Sequence, residues 1–340
     1  MTAELPTTFA VPAKEAGGTL AAFLRSRLSN LSWSQTRRLV ESRRVRIGGD
    51  LCLDPARRLR EAENVEVLAR PARKPIEPDA IHIRHLDGHI VVVEKPSGLA
   101  TVRHPAEREL SERRKSLTPT LEDLVMKTIA HQEKKDPKRI SRLRVVHRLD
   151  KETSGLVVFA RTVAAERGLG RQFHQHTVTR RYLAVIAGYL PPQEISNRLV
   201  RDRGDGRRGS TPLEGVGKEA TTHVNVVERL RGHTLLACRL ETGRTHQIRI
   251  HLAEQGHPVC GEKVYNRTRS GETIGHDCPA PRLALHAAEL GFIHPVINKP
   301  VRWEMPLPED LERFISSFRW KRHQRDDEAR ESRGNQVDGH

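Results

Sequence analysis

The stretch His147-Arg148-Leu149-Asp150-Lys151-Glu152-Thr153-Ser154-Gly155-Leu156 decides how the rest of this chain is interpreted. It places the carboxylate of Asp150 beside a cation and shortly before the apolar run 155–160 (GLVVFA). An apolar run of this length, rich in branched residues, predicts a buried strand. A buried strand fixes the turn before it, whereas the turn itself stays accessible, so reactive side chains are often found there. We therefore predict that Asp150 is catalytic.

A second stretch, residues 241–252 (ETGRTHQIRIHL), supplies cations for such a site. The run before it predicts a strand, Gly243 permits a tight turn, and Thr245 can cap the helix that follows. Arg249 would then lie about one turn into this helix, close to its positive end. There it could pair with Asp150 and keep the carboxylate ionised. A lone arginine in this position would more often be an ordinary surface residue of the helix.

Both stretches resemble the catalytic motifs of the RluA family of RNA pseudouridine synthases, and they occur in the family's order. The resemblance implies that Asp150 is the nucleophile and that Arg249 forms its ion pair. It also implies that Arg148 fills the space left by a flipped base and holds phosphates. Because RNA is anionic, we expect Arg244 and His246 of the second motif to contact it as well.

A third match to the family is Arg180-Arg181-Tyr182-Leu183-Ala184, whose alternation predicts a strand. The resemblance implies that Tyr182 stacks on the target uracil and is a candidate for removing the proton at carbon 5. Taken alone, a strand tyrosine is as often a half-buried core residue. The family usually has lysine where Arg181 stands, and both residues are cationic. Softer matches at 94–99, 256–261 and 285–287 are interpreted as structural turns.

The N-terminal part of the sequence predicts a small unit of two helices and a hairpin, and it contains many arginines. Leu20, Phe23, Leu24 and Leu28 recur at helical spacing, Ser32 to Gln35 is a capping box, and residues 45–50 predict a hairpin. This unit resembles the small RNA-binding domain named after ribosomal protein S-four. Crowded like charges repel unless a polyanion neutralises them, although a solvated helix face is the common alternative. We assign RNA contact to Arg37, Arg38, Arg43, Arg44 and Arg46.

The predicted organisation has five segments. They are a flexible arm (1–16), a small α/β RNA-binding domain (17–70), a Pro-rich linker (71–80), a catalytic domain (81–320) and a disordered charged tail (321–340). Strand-like runs (89–94, 155–161, 181–187, 221–227 and 234–240) are interspersed with helical runs (121–130, 163–173 and 245–255). This irregular order predicts an α+β catalytic domain with a mixed, mainly antiparallel sheet. The charged insertion at 103–117 and the Lys-rich stretch at 131–139 are either RNA contacts or mobile loops.

Composition bounds the partners and the cellular setting. Among 340 residues, 59 are Lys or Arg and 43 are Asp or Glu, so the net charge is +16 and favours a polyanionic partner, nucleic acid first. The four cysteines form no metal-binding pair, and we expect reduced thiols in a cytoplasmic protein. No phosphate-binding or dinucleotide-binding fingerprint occurs, so we expect no cofactor and no metal. We also expect no secretory signal, no membrane span and a monomer.

The resemblance implies conversion of uridine to pseudouridine in structured RNA. Large-subunit ribosomal RNA is the first choice, because family members with an appended arginine-rich domain usually act there, and transfer RNA is the second. A non-catalytic RNA-binding or ribosome-assembly protein would explain the charge equally well, but not the three motifs. A hydrolase that uses two carboxylates is disfavoured, because no second acid suitably accompanies Asp150 in these motifs.

Overall fold

The computed structural model describes residues 7–69, 71–72, 76–107, 109, 115–116, 118–275, 278 and 280–320. The chain separates into two compact units, Met1–Ile76 with Glu109–Thr118, and Glu77–Arg108 with Pro119–His340. The tail predicted at 321–340 lies outside the described residues, as do residues 73–75 of the predicted linker and most of the second half of the insertion at 103–117.

The N-terminal unit is a small α/β structure. Its elements are β1 (Thr7–Ala10), α1 (Leu20–Arg27), α2 (Trp33–Glu41), β2 (Val45–Ile47), β3 (Asp50–Leu51) and β4 (Asn64–Val67), and the sheet order is β1-β4-β2-β3. The side chain of Ser32 accepts the Gln35 N–H, and the Gln35 side chain accepts the Ser32 N–H, so the predicted capping box begins α2. The predicted hairpin pairs Ile47 with Asp50.

The prediction of a flexible arm over residues 1–16 is wrong for its second half. Residues Thr7–Ala10 form β1, which pairs antiparallel with β4, and Val11 is buried in the core of this unit. The segment is short and contains threonines and a proline, so it lacks the periodicity that predicts a strand. It becomes ordered because β4 offers an unpaired edge whose backbone groups need partners.

The larger unit is built on one eleven-stranded sheet. Its strands are β5 (Ile83–Leu86), β6 (Ile90–Lys95), β7 (Arg144–Val145), β8 (Ser154–Ala160), β9 (Thr179–Ala187), β10 (Gln193–Val200), β11 (Gly209–Thr211), β12 (Lys218–Leu230), β13 (His233–Leu240), β14 (Leu285–Ile293) and β15 (Pro300–Glu304). Its helices are α3 (Leu121–Gln132), α4 (Val163–His174), α5 (Gln247–Glu254) and α6 (Glu309–Ser316).

The order of neighbouring strands confirms the predicted mixed, mainly antiparallel α+β fold. The sheet runs β11-β10-β12-β13-β9-β14-β8-β6-β5, with β15 beside β14 and β7 beside β8. Only the β14–β8 pair is parallel among the described pairs. All five strand-like runs of the sequence lie in strands to within one residue. The strand β8 is buried along its whole length, so the turn before it is attached to a fully buried strand of the sheet.

Residues 285–287, interpreted from the sequence as a turn, instead begin β14, a central strand of the sheet. Its sequence, LHAAELGFI, is rich in good helix formers, so local propensity favours the wrong structure. Pairing with β9 on one side and β8 on the other overrides that propensity. This strand matters for the site, because it separates the strand that follows Asp150 from the strand that carries Tyr182.

The expectation of four reduced cysteines is wrong for one pair, since Cys260 and Cys278 form a disulfide. Their separation of 18 residues gave no hint of proximity. Backbone hydrogen bonds from Cys260 to Val185 and from Ala284 to Cys260 hold this segment beside β9, where the two sulfurs meet. Cys52 and Cys238 are free, and Cys238 is buried as its apolar surroundings predict. Within the described ranges, no helix has both the length and the apolarity to cross a membrane.

Candidate active site

Asp150 lies in the turn between β7 and β8. Hydrogen bonds join the backbone of this turn to the neighbouring loop 95–101. The hydroxyl of Thr101 donates to the Leu149 carbonyl at 2.8 Å and accepts the Leu149 N–H at 3.1 Å. The N–H of Gly98 donates to the carbonyl of Lys151 at 2.8 Å. The backbone on both sides of Asp150 is therefore fixed, while its side chain remains 19% exposed and accessible to a substrate.

A buried lysine completes this support. The Nζ of Lys95 is fully enclosed and donates to the carbonyls of Pro96, Leu99 and Lys151 at 3.0, 2.7 and 3.0 Å. Three acceptors satisfy the three donors of an ammonium group. Desolvation lowers the pKa of Lys95 to about 7, although the charge of Asp150 opposes this shift. Residues 94–99 thus form the expected structural turn, and Lys95 ties that turn to the segment carrying Asp150.

Gly155 explains why the turn can approach the centre of the sheet. Its φ of 129° is unfavourable for residues with a side chain, and a β-carbon there would collide with the backbone of Ala287 in β14. The glycine that starts the apolar run in the sequence is thus required for the close packing of β8 on β14 directly beside the site.

Arg249 connects Asp150 to a second, buried carboxylate. Its Nη1 lies 3.4 Å from Asp150 Oδ2, as predicted. Its Nε and Nη2 donate to Glu262 Oε2 and Oε1 at 2.7 and 2.8 Å. Desolvation lowers the pKa of Arg249, but the bonds to Glu262 and the charge of Asp150 outweigh it and raise the pKa. The guanidinium is therefore a fixed cation that faces Asp150.

Sequence reasoning missed Glu262, whose side chain is only 1% exposed. Burial raises the pKa of this carboxyl, but the bonds to Arg249 and to backbone N–H groups outweigh burial and lower it. Its Oε1 accepts from the N–H groups of Lys263 and Val264 at 2.9 and 2.8 Å. The available signal was an acid directly after Gly261, at the end of the segment 256–261 that was interpreted only as a structural turn. Because Glu262 pairs with Arg249, it is a positioning group, not a second catalytic acid.

The start of α5 differs from the prediction that Thr245 caps the helix. The N-cap is His246, in the left-handed region at φ 62°, and no side chain caps it. Gln247 stabilises the turn instead, since its Oε1 accepts from the Arg244 N–H at 3.0 Å and from the Thr242 hydroxyl at 2.7 Å. A side chain that folds back on the turn from inside the helix replaces the predicted cap.

This unusual backbone turns His246 towards the site. Its Nε2 lies 3.7 Å from Asp150 Oδ1, and its Nδ1 is hydrogen-bonded to the Tyr265 hydroxyl at 2.6 Å. Burial lowers the pKa of His246, and the charge of Asp150 opposes this effect only in part. Burial also raises the pKa of Tyr265 to about 12. Both rings are therefore neutral near pH 7, so Arg249 is the cation that faces Asp150 here.

Tyr182 is on β9 and is 9% exposed. Burial raises the pKa of its hydroxyl, the charge of Arg180 lowers it, and the charge of Asp150 raises it, with a net increase. The electrostatic influence of Asp150 indicates that the two side chains share one region. The phenol is protonated at neutral pH, which suits stacking on a base. Removal of a proton would require the phenolate, which Tyr182 forms less readily than a free tyrosine.

The remaining predicted RNA contacts fall into two groups. Arg148 is exposed beside Asp150, and its guanidinium forms no hydrogen bond or ion pair with another described residue. Arg244 is half-buried, and its Nε donates to the Glu219 carbonyl at 2.9 Å. The five arginines of the N-terminal unit belong to a separate compact unit.

Two clusters of described residues bring three potential metal ligands within 4.8 Å of one another. They are His233 with Cys260 and Cys278, and His85 with Asp87 and His294. In the first, the sulfurs are joined by the disulfide. In the second, His294 Nδ1 accepts backbone N–H groups, so its Nε2 carries the proton and donates to Asp87 at 2.9 Å. Neither arrangement presents a free set of lone pairs to a cation.

Comparison with known proteins agrees with this geometry. The family model for RNA pseudouridylate synthase matches residues 89–254. Ribosomal large subunit pseudouridine synthase D of Neisseria meningitidis serogroup A is 37% identical over 318 residues, covering 91% of this chain and 81% of the relative. The protein of that name from Zymomonas mobilis is 34% identical over 304 residues, covering 87% and 92%.

Among solved structures, human RNA Pseudouridylate Synthase Domain Containing 1 shares the fold. Its TM-score is 0.54 at 24% identity, and the match covers 76% of this chain and 98% of the human one. The fold likeness, the family match at the sheet and helix that carry Asp150 and Arg249, and the identity over most of the chain all lead to one assignment. This chain belongs to the RluA family of RNA pseudouridine synthases.

Proposed function

We propose that this enzyme converts specific uridines of large-subunit ribosomal RNA to pseudouridine, with Asp150 as the covalent nucleophile. One observation carries the catalytic assignment. An accessible carboxylate lies 3.4 Å from a guanidinium that a buried glutamate fixes, which is an arrangement that orients the acid and places a cation beside it. The substrate assignment is supported by relatives named ribosomal large subunit pseudouridine synthase D.

The reaction begins with the exposure of the target base, since an enzyme cannot reach a stacked uridine. Flipping costs a few kcal/mol, which contacts with the extruded nucleotide and its flanks offset. Arg148, exposed beside Asp150, occupies the vacated space and holds the backbone. Tyr182 stacks on the uracil and fixes its plane.

Asp150 then forms a covalent adduct with the nucleoside, and the bond between C1′ of the ribose and N1 of uracil breaks. The detached uracil rotates and rejoins C1′ through carbon 5. The proton at carbon 5 is removed with the help of Tyr182, N1 gains a proton, and Asp150 is released as a carboxylate. Every bond broken in this sequence is matched by one formed, so the proposed steps need no oxidant, reductant or donated group. Arg249 stabilises the carboxylate before attack and after release.

The N-terminal unit adds affinity through its exposed arginines, and Arg244 and His246 bound the nucleotide site at the start of α5. Phosphate contacts of this kind make binding steeply dependent on salt. We also propose that the protein is a cytoplasmic monomer, because its substrate would be there and one chain supplies every residue of the site. Size-exclusion chromatography with light scattering should return a mass near 38.5 kDa.

The decisive experiment incubates purified protein with unmodified large-subunit ribosomal RNA and, separately, with transfer RNA transcripts, followed by mapping of pseudouridine. We expect product on ribosomal RNA. We expect the Asp150→Asn variant, which keeps the shape but not the nucleophile, to lose turnover by about 10⁴-fold or more. Its affinity for RNA should remain close to that of the wild type.

A Glu194→Gln variant is the matched control, because Glu194 is an exposed acid on β10. It should retain full activity. Product on transfer RNA alone would move the substrate assignment to the second choice. Undiminished product from Asp150→Asn would contradict the assignment of the nucleophile.

A further inference from the structure

A cavity of about 500 Å³ lies where β9 begins and β13 ends. Its lining includes three arginines and a histidine, namely Arg180, Arg239, Arg244 and His176. We propose that this cavity binds a phosphodiester group of the RNA, on the chain flanking the uridine held at Asp150. The inference rests on the proposed function and deepens it, because it assigns a subsite to the nucleotide next to the target.

Arg180 is the centre of this subsite. It is 7% exposed, yet it forms no ion pair with a described carboxylate. Its Nη2 donates to the Glu241 carbonyl at 2.9 Å, whereas its buried Nε has no hydrogen-bond partner and none is found for Nη1 among the described residues. A buried cation without a counter-ion is costly, so such a group is expected to meet an anion in the functional complex.

The guanidinium of Arg180 packs against Phe173 and Gly243. The centroid of the Phe173 ring lies 5.7 Å from Cζ of Arg180. A β-carbon at Gly243 would lie 2.6 Å from Nη1, so the guanidinium packs directly against the backbone of this glycine. The glycine of the second sequence motif therefore lies in contact with Arg180 at the cavity.

The cavity is positively charged although two glutamates also line it. Glu241 Oε1 is bound to His223 at 2.6 Å, and Glu219 Oε1 is bound to Arg198 at 3.1 Å, so both carboxylates are engaged elsewhere. Burial and the charges of Arg180 and Arg244 lower the pKa of His176, which is the expected response to a local excess of cations. Net positive potential in a recess favours an anion of substrate size.

The position of the cavity identifies which anion. Arg180 precedes Tyr182 by two residues on β9, so both side chains are on the same face of the sheet. The charges of both Arg180 and Asp150 act on Tyr182. The cavity thus adjoins the uracil site, and the anion that RNA presents beside each base is a phosphodiester. A guanidinium with unpartnered N–H groups can donate to these oxygens and supplies the opposite charge.

The test compares Arg239→Gln and Arg180→Gln with an Arg229→Gln control. Arg239 is exposed at the rim of the cavity, whereas Arg229 is exposed at the opposite end of the β12–β13 ladder. All three changes are made in an Asp150→Asn background, and the dissociation constant for a large-subunit ribosomal RNA transcript is measured over a range of KCl concentrations. Each cavity variant should make the log–log slope shallower by about 0.7–0.9, and the control should not.

In the background with Asp150 intact, both cavity variants should raise KM more than they lower kcat. Arg180→Lys keeps the charge but not the planar guanidinium. It should restore the salt slope of the wild type but recover only part of the affinity lost in Arg180→Gln. A structural role alone would lower the melting temperature of Arg180→Gln and leave the slope unchanged. If Arg180→Gln does not fold, the slope of Arg239→Gln decides.

Salt slopes of both variants equal to that of the control would overturn the subsite. Failure of the substrate assignment is visible separately, as the absence of pseudouridine on ribosomal RNA with the wild-type enzyme. In that case, the same slopes are measured on transfer RNA transcripts.

Discussion

The arginines of the two units differ in how they are spaced in the sequence and in which groups their side chains bind. In the catalytic unit, Arg249 is isolated in the sequence, but Asp150 and Glu262 approach it from distant segments and fix it. In the N-terminal unit, five arginines crowd one short stretch, and three of them contact their own unit. Arg43 Nε donates to the Ala72 carbonyl, Arg44 donates to the carbonyls of Leu68 and Ala69, and Arg46 pairs with Glu66 at 3.8 Å.

The comparison shows that the density of charge in a sequence does not measure its availability. Arg43 and Arg44 satisfy carbonyls at the end of the unit, so their side chains already serve the fold. Only Arg37 and Arg38, exposed on α2, have guanidinium groups without a described partner. Conversely, the functional value of Arg249 depends on partners that no local pattern reveals.

The largest effect that tests this comparison is expected from Arg249→Gln. The change removes the cation beside Asp150 and leaves Glu262 buried without its counter-ion. Turnover should fall by about 10²–10³-fold, and the free energy of unfolding should fall by about 3–5 kcal/mol. Pseudouridine formation at saturating RNA and urea denaturation measure the two effects.

Arg161→Gln is the matched control, because Arg161 pairs with Glu133 at 2.6 Å in the same unit but apart from the site. It should cost stability and leave turnover unchanged at a temperature well below unfolding. Equal turnover losses in the two variants would show that Arg249 acts only through stability.

A smaller effect is expected from Glu262→Gln, since the cation beside Asp150 remains but its orientation is no longer fixed. We expect kcat to fall by about tenfold, with KM nearly unchanged, because the interaction acts on the reacting group and not on RNA binding. In combination with Arg249→Gln, the losses should not add, because both changes break the same pair. Additive losses would place Glu262 outside the Arg249 network.

The N-terminal arginines sharpen the comparison through two double variants of equal charge. Arg37→Gln with Arg38→Gln should make the salt dependence of RNA binding shallower by about 1.4–1.8, the contribution of two phosphate contacts. Arg43→Gln with Arg44→Gln should instead lower the melting temperature of this unit and leave the slope unchanged, because their guanidinium groups bind carbonyls. Identical slopes in both double variants would mean that charge alone decides RNA contact.

The sequence predicted those parts of the site that local pattern determines. Local pattern and the family resemblance together predicted an ion pair between Asp150, in a turn before an apolar run, and Arg249, in the first turn of a helix, and the two side chains lie 3.4 Å apart. Glu262 was missed, because it reaches Arg249 through a loop whose path depends on the packed sheet. The cap predicted at Thr245 was wrong, because His246 in the left-handed region begins the helix and the side chain of Gln247 accepts the Arg244 N–H to stabilise the turn.

The fold shows the same division. Strongly apolar or alternating runs gave the strands that were predicted, whereas β1 and β14 depend on neighbours that supply partners for their backbones. The disulfide between Cys260 and Cys278 also results from tertiary packing and not from spacing. The features that the sequence did not predict, namely β1, β14 and the disulfide, are therefore those that depend on contacts between distant segments.

The smallest expected effect separates the two units by their response to acid. His147 stacks on Phe173 with centroids 4.6 Å apart, and its Nε2 accepts the Val158 N–H at 3.0 Å, so the ring is held neutral. Desolvation, aided by the charge of Arg180, lowers the pKa of His147 to about 3. The N-terminal unit, by contrast, has no histidine in residues 1–76 or 109–118.

Because an unfolded histidine titrates near 6.5, the unfolded state binds the proton first as pH falls. The stabilisation is complete above pH 6.5 and is lost progressively between about 6.5 and 3, at up to about 1.4 kcal/mol per pH unit.

In His147→Gln, the amide oxygen can accept the same N–H without titrating. Between pH 7.5 and 5.5, urea denaturation should show the wild type losing about 1.4 kcal/mol more than the variant. The histidines His251 and His286, whose pKa values are lowered to about 4, contribute equally to both proteins and cancel. Parallel stability curves would show that the imidazole beside the catalytic turn can be protonated without cost.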